Sequence, residues 1–109
     1  MDPHKSIEYI FANSKSYAQA KADRVFLEEF RKTKKALLMK DALSRGYEAV
    51  NAQEREAYSN PEYIELLQGL KDAIAKEEEL RWRLEAARMR VDIWRTEEAT
   101  ARTQVSATL

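Results

Sequence analysis

The stretch from Pro61 to Val105, PEYIELLQGLKDAIAKEEELRWRLEAARMRVDIWRTEEATARTQV, decides the fold. Stepping alternately by three and four residues from Tyr63 lands on Leu66, Leu70, Ala73, Glu77, Leu80, Leu84, Ala87, Val91, Trp94, Glu98, Ala101 and Val105. Eleven of these thirteen positions are apolar. A pattern sustained over six heptads is the a/d seam of a helix that lies along another helix. A helix from Pro61 to about Gln104 is roughly 65 Å long at about 1.5 Å per residue, whereas a globule of this chain length is only about 26 Å across. A second helix must therefore cover the seam.

The rest of the chain supplies one. Asp2-Pro3 reads as a helix start, because aspartate accepts from the free N–H groups of a first turn and proline fits the first helical position. Gly46, in Ser44-Arg45-Gly46, reads as a left-handed stop. The span between them predicts a helix to about Arg45, weakened at Asn13-Ser14-Lys15-Ser16, where short polar side chains compete for the backbone. Asn51 and Glu54 have capping-box spacing and predict a short helix over about 52–58. Asn60 or Ser59 then caps a restart at Pro61, and the Thr/Ser-rich end, 105–109, is expected to fray. The expected architecture is all-α: a single domain of two long helices joined by a short connector helix, a hairpin or coiled coil that self-associates.

Composition narrows the function. The chain has 109 residues, 19 Lys plus Arg against 19 Asp plus Glu, and a net charge of zero. That excludes both a uniformly basic nucleic-acid coat and an acidic DNA mimic. Two Gly and two Pro are too few for the turns of a sandwich, barrel or Rossmann fold. No Cys and one His exclude a disulfide scaffold, a thiol nucleophile and a Cys/His zinc site. No apolar run approaches the roughly 18–20 residues of a membrane span, and the start has no signal-peptide core, so a cytoplasmic protein without a membrane partner is expected.

On the first helix Ile7, Phe11, Ala18, Ala22, Phe26, Phe30, Thr33 and Leu37 form a stripe at helical spacing, with Val25, Leu27, Leu38 and Met39 off it. On the third, Ile64, Leu67, Ile74, Trp82, Met89 and Ile93 lie outside the seam. A two-helix hairpin buries one stripe per helix, so the surplus predicts a second contact: self-association, or a groove for another protein. Leu66, Leu70, Leu80, Leu84, Val91 and Trp94 are the expected assembly residues.

Little in the sequence carries catalysis. Glu77-Glu78-Glu79 is the one carboxylate cluster, and consecutive helical residues point about 100° apart, so the three do not converge on a metal. Glu77 with Arg81 and Glu79 with Arg83 have ion-pair spacing instead. Glu77 and Glu98 occupy seam positions, where charges fix register. His4 stands at the terminus with no second ligand near it. No enzyme and no cofactor are expected.

Charge is uneven along the chain. Arg31, Lys32, Lys34, Lys35, Lys40 and Arg45 face only Asp41 in their segment, while five glutamates fall between Glu48 and Glu65. On the third helix Arg81, Arg88, Arg95 and Arg102 take heptad position e, with Lys76, Arg83 and Arg90 at g. A parallel self-pair through that seam would set positive against positive. An antiparallel hairpin relieves this, and so does a phosphate backbone along the ridge. Arg31, Lys32, Lys34, Lys35 and Lys40 are the expected phosphate contacts. Among Tyr17, Tyr47, Tyr58, Trp82 and Trp94, Trp82 on the outer f position is the expected base-stacking residue.

Tyr17-Ala18-Gln19-Ala20-Lys21-Ala22, the run Phe30 to Met39, Glu54-Arg55-Glu56-Ala57-Tyr58 and Trp94-Arg95-Thr96-Glu97-Glu98-Ala99 resemble small bacteriophage proteins encoded in recombination gene clusters. The layout of a basic helix, a tyrosine-containing turn and a long C-terminal helix is similar to the UvsY-like recombination mediators. That resemblance implies a ring-forming oligomer that binds single-stranded DNA and helps load a recombinase, with a recombinase or single-strand-binding protein as partner. It places the DNA-contacting segment at Arg31–Lys40 and assembly on the third helix. A structural or adaptor coiled coil, or an inhibitor of a host defence protein, are the alternatives.

Overall fold

A computed structural model describes residues 2–108. Its elements are α1 (Pro3–Ser44), α2 (Val50–Ser59) and α3 (Pro61–Thr108), with no strand among the described residues. The all-α arrangement of two long helices and a short connector is the one the sequence predicts.

The helix ends follow from side-chain chemistry. Asp2 Oδ1 accepts from the backbone N–H of His4 at 2.9 Å and of Lys5 at 3.4 Å, satisfying donors that a first turn leaves open. Asn60 Oδ1 accepts from the N–H of Glu62 at 2.8 Å, so Asn60 is the cap of α3, with Pro61 at its first position. At the end of α1, Gly46 N–H donates to Leu43 O and Tyr47 N–H to Ala42 O, both at 3.1 Å. That is a Schellman closure around Gly46, whose φ is +105°. Gly46→Ala forces a Cβ into this left-handed conformation and is expected to lower stability by about 1–2 kcal/mol in chemical denaturation.

α1 runs unbroken through residues 13–16, where Asn13 Nδ2 donates to Tyr9 O at 2.9 Å and the Ser14 hydroxyl to Ile10 O. These polar side chains bond back to the carbonyls four residues earlier, a competition that the helix survives. One local expectation is corrected. Asn51 does not cap α2: the N-cap is Ala49, with no side-chain hydrogen bond. The buried Gln53 fastens that entry instead, its Nε2 donating to Tyr47 O at 3.0 Å and Glu48 O at 3.2 Å. α3 continues to Thr108, through residues expected to fray; Leu109 lies outside the described residues.

The chain divides into two compact units rather than one, Met1–Ala18 with Glu78–Leu109, and Gln19–Glu77. In the second, the later part of α1 packs antiparallel against the start of α3, and α2 closes the corner. Leu38, Ala57 and Tyr63 form its core, with Met39 packed on them, and Tyr58 meets the Tyr63 ring edge-on at 5.4 Å. Ala42 and Ala57 are fully buried, so small side chains let the backbones approach. In the first unit, Ser6, Tyr9 and Ile10 of α1 lie against the stretch of α3 that carries Leu84, Ala87 and Val91, with Ser6 and Ala87 buried and the others half-buried.

The α3 seam is covered in both units. Tyr63, Leu70, Glu77 and Ala87 are buried, and Leu66, Ala73, Leu80, Leu84, Val91 and Trp94 half-buried. Past Trp94, Glu98, Ala101 and Val105 are exposed. Of the residues expected to join chains, Leu70 is buried within the single chain, and Leu66, Leu80, Leu84, Val91 and Trp94 are half-buried there.

The face that α1 turns inward differs from the expected one. Its covered positions are Ser6, Ile10, Asn13, Tyr17, Ala20, Arg24, Leu27, Arg31, Lys34 and Leu38, again at alternating steps of four and three. Ile7, Phe11, Ala18, Ala22, Phe26, Thr33 and Leu37 are exposed, and of the expected stripe only Phe30 is half-buried. The reason is electrostatic. Glu77 lies in the seam at 6% exposure, and a carboxylate held there needs a cation opposite. Arg24 supplies it only when α1 presents the face that also carries Leu27 and Leu38.

Candidate functional site

The most specific polar contact is that pair. Arg24 grips Glu77 with both arms, Nε to Oε2 at 2.6 Å and Nη2 to Oε1 at 3.0 Å, while Nη1 reaches Glu28 Oε2 at 3.0 Å. The two carboxylates hold the guanidinium pKa well above its ordinary value, Glu77 most strongly. A bidentate fork adds geometric specificity, and here it fixes the register of α1 on α3. The expected Glu77–Arg81 pair is therefore replaced; Arg81 bonds Glu78 at 2.6 Å, and Arg83 bonds Glu79 at 2.6 Å as expected.

The basic run does not form one ridge. Lys34 Nζ lies 3.1 Å from Glu62 and Lys35 Nζ 3.5 Å from Glu54, both lysines half-buried against the hairpin. The Lys35 ammonium also sits 4.8 Å from the centre of the Tyr58 ring. The Tyr58 phenol, and after it Glu54, hold its pKa above the ordinary lysine value against partial desolvation. Lys32 pairs with Glu29 at 3.5 Å on the surface. Arg31 is half-buried and Lys40 exposed, and neither has an ion-pair partner among the described residues. At about 100° per residue, Arg31 and Lys40 stand on opposite sides of α1. Acidic residues between Glu54 and Glu62 thus neutralise the part of the run that the hairpin draws in.

The remaining expected residue, Trp82, belongs to the other unit and is 60% exposed. The Arg81 guanidinium lies 4.6 Å from its ring centre. In the same unit a groove of about 440 Å³ runs between Lys5, Ser6 and Tyr9 on α1 and Arg83, Ala87 and Arg90 on α3. Lys5 and Arg90 have no ion-pair partner among the described residues. Sequence reasoning missed this pairing of cations because Lys5 and Arg90 are far apart in the chain and meet only through the antiparallel fold.

Among the described residues no group of three or more His, Cys, Asp or Glu is placed to hold a metal ion, and no helix is long and apolar enough to cross a membrane. What is most exposed and most apolar is the outer side of the helices: Phe11 at 79% and Phe26 at 64%, the latter stacked on Phe30 at 5.7 Å, together with Trp82, Met89 and Ile93 on α3. No family model, curated protein or solved structure matches this chain.

Proposed function

We propose that the chain is a non-enzymatic assembly protein that acts through helix–helix contacts with further protein chains, its own copies first. The observation that supports this is the outward turn of the α1 stripe, which leaves Ile7 and Phe11 of one unit, and Phe26 and Leu37 of the other, open to solvent. Fully burying one such side chain contributes about 1.5–3 kcal/mol, so a few per chain suffice to drive association. Contiguous faces of this kind mark interaction sites. Sedimentation equilibrium over a micromolar dilution series is expected to give a mass above the 12.7 kDa of one chain. A folded monomer throughout ends this reading.

A second reading, a single-stranded-DNA-binding accessory protein of phage recombination, is favoured by Arg31 and Lys40, the basic-run residues without an ion-pair partner among the described residues. Assembly would multiply so weak a site through effective concentration. Binding of labelled oligo-dT is expected at low salt and should fall steeply as salt rises. Lys32→Glu with Lys40→Glu should weaken it several-fold while helicity is kept. Lys34 and Lys35 are poor choices for this test, because reversing them breaks pairs that hold the hairpin. Undetectable binding at low salt leaves the assembly reading alone.

A further inference from the structure

On α3 the exposed residues Trp82, Ala86, Met89 and Ile93 recur at steps of four, three and four, away from the covered seam, with Ala86 at the rim of the groove beside α1. Trp82, Met89 and Ile93 are 60%, 53% and 49% exposed. This is a second, shorter heptad seam, with Trp82 and Met89 at d and Ala86 and Ile93 at a. Its borders are of opposite charge. The residues before the a positions 79, 86 and 93 are Glu78, Glu85 and Asp92, and those after the d positions 82, 89 and 96 are Arg83, Arg90 and Glu97. The first a position is itself a carboxylate, Glu79, held by Arg83 of its own chain at 2.6 Å, so the apolar part of the seam starts at Trp82.

In a parallel pair of identical helices, each g residue faces the e residue five positions on in the partner. Glu78 then faces Arg83, and Glu85 faces Arg90, on both sides of the dyad. Asp92 would face Glu97, which limits the favourable zone to the two heptads that hold the large apolar residues. An antiparallel self-pair on the same face sets glutamates against glutamates and arginines against arginines. Charge therefore selects both partner and direction. The inner seam, with basic residues on both borders, forbids a parallel self-pair; the outer seam favours one. Among the described residues Arg90 has no ion-pair partner, whereas Glu78, Glu85 and Arg83 would exchange their pairs with Arg81, Arg88 and Glu79 for the contacts across the dyad. Isoleucine at an a position is also the choice that favours two strands.

We infer that the outer face of α3 from Glu78 to Ile93 is a parallel, in-register docking surface for the same face of a second copy of this chain. This rests on the assembly reading above and names its first contact. The chain has no cysteine, so one introduced thiol reports directly on geometry. Ala86→Cys and Ile93→Cys are made separately and oxidised mildly. In a parallel, in-register pair each residue faces its own copy, and both variants form disulfide-linked dimers. In an antiparallel pair they cannot both do so, because seven residues separate them by about 10 Å.

A charge exchange adds the second arm, on the Ala86→Cys background. Arg83→Glu with Arg90→Glu, and separately Glu78→Arg with Glu85→Arg, should each cross-link several-fold less. Mixed together they should recover it as a heterodimer. Cross-linking of only one cysteine variant, or of neither, overturns the inference. So does charge reversal without effect. If the chain still sediments as an oligomer in those cases, the assembly reading stands and only this surface is wrong; if it is monomeric, both fall.

Discussion

Replacing Arg24 with leucine is expected to destabilise the chain, and replacing Glu77 with leucine as well is expected to restore most of the loss. The asymmetry comes from what the single change leaves behind. Glu77 is 6% exposed and receives two hydrogen bonds from Arg24. Without those two bonds its carboxylate stays in an apolar seam with less to offset its desolvation. The loss is smaller than for a fully buried pair because the Arg24 side chain keeps 24% of its surface in water. The double leucine variant removes both desolvation costs and adds two apolar side chains to the seam, an exchange that is often neutral or better. Urea unfolding of the three proteins measures it. Equal losses in the single and double variants would show that Glu77 is not held as described.

Adjacent leucines on α1 provide the second large contrast. Leu38 is 7% exposed and packs with Ala57 and Tyr63, whereas Leu37 is 53% exposed. Leu38→Ala is expected to cost about 2–4 kcal/mol, the range for removing a core side chain and leaving a cavity. Leu37→Ala should change the stability of the dissociated chain by no more than about 0.5 kcal/mol. The stripe read from the sequence as the covered face would reverse this order, so the pair of measurements decides which face of α1 is inside.

The two long helices differ in how much of their packing is legible in the sequence. On α3 the covered face follows the apolar repeat from Tyr63 to Trp94, which is longer than the second apolar face formed by Trp82, Ala86, Met89 and Ile93. On α1 apolarity points to the wrong face. Phe11, Phe26 and Leu37 outweigh Ser6, Asn13, Arg24, Arg31 and Lys34 on any hydrophobicity count, yet the polar set faces inward. The missing signal lies in the other helix: Glu77 in the α3 seam requires a cation across the interface, and Arg24 is one that shares a seam with Leu27 and Leu38. Caps with short local ranges, Asp2, Gly46 and Asn60, can be read from the sequence alone. The entry of α2 cannot, since Gln53 ties back to the carbonyls of Tyr47 and Glu48 only once the corner has formed.

The same geometry explains why the basic run is not a legible DNA site. Neighbouring lysines on a helix point in different directions, and the hairpin brings Glu54 and Glu62 to Lys35 and Lys34. What the fold leaves outside is chiefly apolar, and that directs attention to protein contacts.

The most direct test of this account is sedimentation with circular dichroism on the unmodified chain and on the Phe11→Ser, Phe26→Ser variant. Both phenylalanines face solvent in a single chain, so the variant should keep its helicity and unfold as cooperatively as before, while its mass at micromolar concentration falls below that of the unmodified chain. An unmodified chain that is monomeric, or a variant that loses helicity together with assembly, would contradict the account, the first by removing the association and the second by showing that these residues belong to the core.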